Sequence, residues 1–308
     1  MQPPRWSIHR RRQPAGDRLI YISEGFGQVG CPNPFEGGIP LKIQTIVSDL
    51  DDTLLTRTHM LTPRTIRVLQ HAQDLGIAVV LASGRCAASM RPFVEQVGTK
   101  MPFIAGNGAQ IVSTEGEVLL EHLIDLPLMR EILRFLAAQD VYAQLYYDDR
   151  FYFDTPCTYS AEYMRSSRIE GVAVGSLLAF AQTPTTKILA VAPPERVAML
   201  LPLARAHFGA RLSVMISKPF FLEFSHPLAT KGQALAFLAA RYGFPQETTL
   251  AAGDSLNDLP MLEWAGMPVT VANAHPDVQR MAWKIAGDGR EDGIAALLET
   301  LLTEEQNA

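Results

Sequence analysis

Three aspartates fall within four positions, Asp49, Asp51 and Asp52, directly after the apolar run Ile43, Thr45, Ile46, Val47. That run reads as a buried strand, so the chain has to fold in a way that can keep an acidic cluster at a strand end. Carboxylates a few ångströms apart repel, and such a cluster holds a proton or is neutralised by a cation. A hard divalent ion with oxygen ligands, Mg2+ above all, is the usual solution. Taken alone, the stretch from Asp49 to Thr53 reads equally as a solvated acidic turn. The rest of the chain separates the two readings.

From Ile43 onward, strand-like and helix-like segments alternate. Thr62-Pro63 starts a helix that runs to about Leu75, with proline at its first position and Gly76 as its stop. Ile77 to Ala82 is the continuous apolar run of a strand buried on both faces of a parallel sheet. A helix follows Ser83-Gly84-Arg85, then a strand at Phe103 to Ala105 and a turn at Asn107-Gly108. Towards the other end come a helix at Lys231 to Tyr242 with Gly243 as its cap, a strand at Thr249 to Ala252, a helix at Leu259 to Ala265 and a strand at Pro268 to Ala272. This β-α alternation predicts a doubly wound, Rossmann-like parallel sheet of the α/β class.

The middle differs. Val141 to Tyr147 and Phe151 to Asp154 flank Asp148-Asp149-Arg150 as a hairpin. Strands at Lys187 to Val191 and Leu212 to Ile216 enclose a helix from about Glu195 to His207, and Phe220 to Phe224 adds a strand. We therefore expect an α+β cap domain at 126–218, inserted into a core formed by 41–125 and 219–308.

Residues 1–40 read as an irregular or disordered leader outside the fold, with Arg5, Arg10, Arg11, Arg12 and Arg18 among prolines and glycines. It contains a literal GxGxxG, Gly25 to Gly30, but Pro32 and Pro34 follow at once and oppose the helix a dinucleotide site requires.

At 308 residues there is ample chain for two domains with cores of their own. The formal charge of -5 argues against nucleic acid as a partner. No apolar run approaches the ~18 residues of a membrane span. Cys31, Cys86 and Cys157 form no CxxC pair, which suits free thiols in a reducing cytoplasm rather than a disulfide framework or a zinc site.

In an open parallel sheet, function gathers at the carboxyl ends of the strands. There the sequence puts Asp49 and Asp51, then Ser83-Gly84, then Gly253-Asp254-Ser255-Leu256-Asn257-Asp258, about two hundred positions away from the first pair. Each piece suits phosphoryl transfer. An aspartate can attack phosphorus and carry the group covalently. A second carboxylate two positions on can protonate the leaving group and later activate water. Ser83, at a helix start, offers a hydroxyl and free amides to an anion, and Asp254 adds an oxygen to a Mg2+ site. Lys231 opens a helix, where the dipole opposes a cation by about 0.3–1 kcal/mol unless an anion sits beside it. Ser83 reads alone as a plain N-cap, and Asp254 with Asp258 as a capping pair for the next helix. Their joint occurrence in this order favours chemistry.

The order Asp49-x-Asp51, Ser83-Gly84-Arg85, Asn107-Gly108-Ala109, Lys231-Gly232 and Gly253-Asp254-x-x-Asn257-Asp258 resembles the haloacid dehalogenase superfamily of phosphatases, and within it the Cof-type branch with a large α/β cap. The likeness covers about Leu41 to Ala296. It implies that Asp49 is the nucleophile and Asp51 the general acid/base. It also implies Mg2+ held by Asp49, the backbone carbonyl of Asp51 and Asp254, with Asp258 behind the metal. Phosphate would meet the Leu50 amide, Ser83, Gly84, Lys231 and Asn257. Two positions depart from the family pattern. Asp52 stands where glycine is usual, a turn aspartate tolerates. Thr270-Val271-Ala272-Asn273-Ala274 replaces the more usual Met-Gly-Asn-Ala.

The expectation is a cytoplasmic, Mg2+-dependent phosphatase of small phosphorylated metabolites such as sugar phosphates, FMN or pyridoxal phosphate. A mutase of the same fold and a receiver-like signalling module are the alternatives, the latter opposed by the inserted cap. The cap aromatics Tyr146, Tyr147, Phe151 and Tyr152 read as core rather than as a stacking surface.

Overall fold

The computed structural model describes residues 43–147 and 150–306, together with the backbone of 7–9 and 20–22. Those two short strands pair antiparallel, Ile8 opposite Tyr21. The remainder of the expected leader, its GxGxxG included, and the Asp148-Asp149 tip of the hairpin lie outside the described residues.

The core is an eight-stranded sheet in the order Lys284–Ala286, Met267–Val271, Thr249–Ala252, Thr45–Asp49, Ala78–Ala82, Phe103–Ala105, Gln110–Val112 and Val118–Glu121. The first six run parallel, and the last two turn back as an antiparallel edge. Helix Pro63–Asp74 packs beside Ala87–Val97 and Gly293–Gln306, while Lys231–Tyr242 packs beside Leu259–Trp264. Local chemistry sets several of these boundaries. Thr62 caps its helix by accepting from the Thr65 N–H at 3.1 Å, Pro63 fills the first turn, and Gly76 takes the left-handed conformation at φ 84°. Strand Thr45–Asp49 is buried at every position and Ala78–Ala82 at all but the first, as strands with helices on both faces must be.

The middle segment builds a second, six-stranded sheet ordered Gly171–Ala173, Arg150–Phe153, Tyr142–Tyr147, Lys187–Val191, Phe221–Ser225 and Ser213–Lys218. Helices Leu126–Ala138 and Pro194–Phe208 cover one side, closing a core around Ile132, Leu136, Ile188, Leu200 and Phe224. The expected boundary at 218/219 needs correction. Phe221–Ser225 hydrogen-bonds on both edges within the cap sheet, Glu223 facing Leu189 on one side and Met215 on the other. A strand's sheet is decided by its pairing partners, which its own alternation does not reveal. The aromatics behave as core: Tyr146 and Phe151 are buried, and Tyr147 and Tyr152 pack against the cap interior.

The chain enters the cap after Glu121 and leaves the cap sheet after Ser225, and the next residue in each case is a histidine. His122 and His226 stack with ring centroids 5.2 Å apart and planes within 10°. Burial pushes both imidazoles down, His122 to about 4 with a further contribution from the His226 charge. A base whose folded pKa lies below its unfolded value of about 6.5 takes up protons preferentially in the unfolded chain. Stability therefore falls as pH drops from about 6.5 towards 4, by at most about 3 kcal/mol from His122. His122→Phe retains the stacked ring without the titration. Its Tm should match the parent at pH 7.5 and fall several degrees less by pH 4.5, measured by calorimetry. Parallel Tm curves for the two proteins would rule out a titrating stack.

Candidate active site

Strand register explains why distant residues meet. Asp49 pairs with Ala82 on one side of the central strand, and Ser48 with Ala252 on the other. Ser83-Gly84 and Gly253-Asp254 therefore leave the sheet level with Asp49-Leu50, at the point where strand order reverses and a crevice must open.

Lys231 reaches this point from the other direction. Thr230 caps its helix by accepting from the Gln233 N–H at 3.1 Å. A Cβ on Gly232 would lie 2.2 Å from the Pro260 carbonyl oxygen, so only glycine lets the helix come this close to Leu259–Trp264. The Lys231 side chain is 0% exposed, and its Nζ donates to Oδ1 of Asp49 and Oδ1 of Asp258, each at 2.5 Å. Burial alone would lower the ammonium pKa, but the Asp258 and Asp49 charges outweigh it and raise the pKa. The anions that offset the helix dipole here are thus two carboxylates. Asp258 also accepts the Asp254 and Ser255 N–H groups on Oδ2 at 3.0 Å, so the capping role and the site role belong to one residue.

Asp49, Asp254 and Asp258 each bring a carboxylate oxygen within 4.8 Å of the others. Burial raises the Asp49 pKa well above the usual carboxylate range, Lys231 lowers it, and the Asp258, Asp254 and Asp51 charges raise it again. Asp254 is pushed up to about 7, by burial first and the Asp258 charge second. A buried, all-oxygen cluster that otherwise has to retain protons fits a hard divalent ion such as Mg2+. Within it, Asp258 has both oxygens committed to Lys231 and backbone amides, as a supporting carboxylate would. Asp254 Oδ1 accepts from the Thr53 hydroxyl at 3.1 Å.

Asp51 is turned elsewhere. Arg85 grips it with two bonds, Nε to Oδ2 at 2.7 Å and Nη2 to Oδ1 at 2.8 Å, and His59 Nδ1 lies 3.3 Å from Oδ1. Burial would raise this carboxyl, yet the His59 and Arg85 hydrogen bonds hold it well below its ordinary pKa. Ser83 is buried, as expected of a site residue, but it does not sit at the helix start. Cys86 is the N-cap of Ala87–Val97, and the Ser83 hydroxyl accepts the Arg85 N–H at 3.2 Å in the loop before it. Leu50 is buried, and its carbonyl anchors the turn by accepting from Leu54 and Leu55. Asp52 takes φ 60°, the left-handed conformation expected where the family has glycine. Asn273 clamps that turn, donating to the Asp52 carbonyl at 2.9 Å and accepting from the Gly289 N–H at 2.7 Å.

Asp49, Asp51, Asp52, His59, Ser83, Arg85 and Asp254 line a crevice of about 330 Å³ together with Gly84, Asn107 and Asn257, while Lys231 and Asp258, both fully buried, support Asp49 and the Asp254 loop from outside that lining. The cap supplies the opposite wall through Tyr163, Lys187, Lys218, Phe221 and Glu223. None of the five was singled out from sequence. Strand alternation could have offered Lys187 and Glu223, since their neighbours Ile188, Leu222 and Phe224 fill the cap core. The side chain of Asn107, at φ 57°, accepts from Asn257 Nδ2 at 2.8 Å, which makes the Asn107-Gly108 turn part of the site.

A cleft with paired aspartates at the end of the central strand of a parallel sheet, a buried lysine and a roofing cap defines a phosphoryl-handling hydrolase class. The chain belongs to the haloacid dehalogenase-like hydrolases, whose family model matches residues 46–298. Phosphatase YwpJ of Bacillus subtilis is 28% identical, the alignment covering 84% of this chain and all of that protein. The 5-amino-6-(5-phospho-D-ribitylamino)uracil phosphatase YwtE of the same organism is 25% identical over 85% of this chain and 99% of its own. Among solved structures, TM0651 of Thermotoga maritima superposes with a TM-score of 0.74 at 29% identity, covering 84% of this chain and 97% of that one. The protein is accordingly an enzyme of the phosphoric monoester hydrolase type, and the receiver-module alternative falls with the cap and the family. No helix among the described residues is long and apolar enough to cross a membrane.

Proposed function

We propose that this protein is a Mg2+-dependent phosphatase that hydrolyses small phosphorylated metabolites through an aspartyl-phosphate on Asp49. The observation that carries the reading is the buried Asp49–Lys231–Asp258 arrangement beside Asp254. It fixes one carboxylate at the floor of a crevice whose size suits a small metabolite. The uracil phosphatase relative is named for a phosphorylated metabolite, which supports the same class here.

In the first step an Asp49 oxygen bonds to phosphorus as the bond to the leaving oxygen breaks, and Asp51 donates that oxygen a proton. In the second, a water oxygen bonds to phosphorus, its proton passes to Asp51, and Asp49 leaves with its electron pair restored. Lys231 orients Asp49 throughout. The Leu50 amide, Ser83, Gly84, Lys231 and Asn257 receive the phosphoryl oxygens. Mg2+, held by Asp49, Asp254 and the Asp51 carbonyl, would screen the attacking carboxylate from the phosphate charge. Asp51, ionised against Arg85, is prepared for the second step. Acting as acid in the first requires the Arg85 contact to slacken, which a neighbouring phosphoryl dianion favours by attracting the guanidinium and raising the carboxyl pKa.

Removal of metal tests the assignment. EDTA should abolish hydrolysis of p-nitrophenyl phosphate, Mg2+ should restore it, and Ca2+ should restore it poorly because it prefers longer bonds and higher coordination. Full turnover by a rigorously metal-free preparation would sink the proposal.

A further inference from the structure

We propose that Lys187 and Glu223, two charged residues on the crevice side of the cap sheet, are positioning residues that complete the phosphate pocket when the cap sits on the core. The inference rests on the phosphatase reading above and deepens it, making phosphate binding and cap docking one linked equilibrium.

Both residues belong to neighbouring antiparallel strands of the cap, and each projects from the face opposite the cap's larger hydrophobic cluster, beside the smaller one that holds Leu189 and Tyr146, whose ring centroid lies 5.0 Å from Lys187 Nζ. They are 3% and 6% exposed, with Lys187 Nζ 3.6 Å from Glu223 Oε2. Burying two charges is costly, and an apolar pair of similar volume would serve packing as well or better. Their partners show what these charges do instead. Lys187 Nζ donates to the Gly84 carbonyl at 2.9 Å, in the loop that carries Ser83. Glu223 Oε2 accepts from Asn107 Nδ2 at 3.3 Å, while Oε1 accepts from the Ser217 hydroxyl at 2.6 Å. Asn107 in turn accepts from Asn257 Nδ2 at 2.8 Å, and its amide packs so closely on Gly84 that a Cβ there would lie 3.0 Å from Asn107 Oδ1.

Each buried cap charge therefore also finds a hydrogen-bond partner on the core: Gly84 itself for Lys187, and for Glu223 the Asn107 amide that holds Asn257. Gly84 is held through its carbonyl, which orients the loop. Asn257 is held through Asn107, which fixes its amide. If the cap lifts, Lys187 and Glu223 lose these partners and the loop and amide lose their restraints. Linkage then requires that phosphate in the pocket favour the docked cap by the same factor that docking favours phosphate.

The test uses the full chain with inorganic phosphate as the probe. Three variants are compared with wild type: Glu223→Gln, Lys187→Met, and the double variant Lys187→Met/Glu223→Leu. The double variant removes both buried charges, so a purely structural pair predicts unchanged Tm and unchanged phosphate affinity. The positioning role predicts a Tm within a few degrees but a tenfold or greater rise in the phosphate dissociation constant by calorimetry. The kcat/KM for p-nitrophenyl phosphate and for a bulky sugar phosphate should drop by the same factor. Phosphate should also slow hydrogen exchange in the linkers around His122 and His226 in wild type and not in the variants. Should the double variant fail to fold, the near-isosteric Glu223→Gln decides on the same readouts. Unchanged phosphate affinity in a folded variant overturns the proposal, and so does a loss confined to the bulky substrate, which would mark a leaving-group contact. Wild-type p-nitrophenyl phosphate turnover is the control: its absence would refute the phosphatase reading, whereas normal turnover with wild-type phosphate affinity in the variants refutes only the latch.

Discussion

Asp49→Asn should lower phosphomonoester turnover by roughly four orders of magnitude or more, as loss of a covalent nucleophile does. No phosphate label should become attached to the protein. Asp51→Asn should behave differently, and the difference depends on the leaving group. An alkyl oxygen needs a proton to depart, so with an alkyl phosphate both steps fail. p-Nitrophenolate departs unaided, so the first step survives and the second, lacking its base, stalls. The expected trace in stopped flow is a burst approaching one p-nitrophenol per active site, followed by turnover slowed on the order of 10²–10⁴-fold. A burst from Asp49→Asn, or no burst and no labelled protein from Asp51→Asn, would show that the roles are exchanged or that metal-bound water attacks directly.

Lys231→Met is expected to cost both activity and fold stability. The ammonium is fully buried and is the cation shared by Asp49 and Asp258 at 2.5 Å each. Removing one member of a buried ion pair leaves an uncompensated charge and costs about 3–5 kcal/mol, a large part of the 5–15 kcal/mol of a typical domain. The pH dependence follows from Asp49, whose pKa is already raised by burial and which Lys231 holds down. Without the lysine it rises further. A carboxyl with a raised folded pKa contributes stability below that pKa and loses it as pH increases. The deficit of Lys231→Met relative to wild type should therefore be largest near pH 8 and shrink towards pH 5, read from urea midpoints. A deficit independent of pH would mean that lost packing, not an orphaned carboxylate, is the cause.

The parts of the molecule legible in the sequence are those whose causes are local. Helix Lys231–Tyr242 and strand Thr249–Ala252 begin and end where their caps, glycines and apolar runs require. The positive φ of Asp52 could likewise be anticipated from its place in a turn. Several candidate site residues were legible as well, because each follows a strand end and parallel strands leave the sheet at one level. What could not be read was which side chain would meet which. Arg85 lies 34 positions from Asp51 and two from Ser83, so nothing local marks it as the partner of the proposed acid/base. Glu223 stands in a strand whose alternation fits either sheet, and only its pairing with Lys187–Val191 and Ser213–Lys218 assigns it to the cap.

By itself, then, the sequence determined the alternation of elements, the insertion of a cap and the chemical types gathered at the strand ends, since hydrophobic period, capping and turn preference act over a few residues. Tertiary structure alone decided that Lys231 would be neutralised by two carboxylates, that Asp51 would face Arg85, and that Lys187 and Glu223 would reach Gly84 and Asn107. Those pairings depend on strand register and helix approach between segments 27 to 182 positions apart, and charges separated so far leave no period in the chain that could announce them.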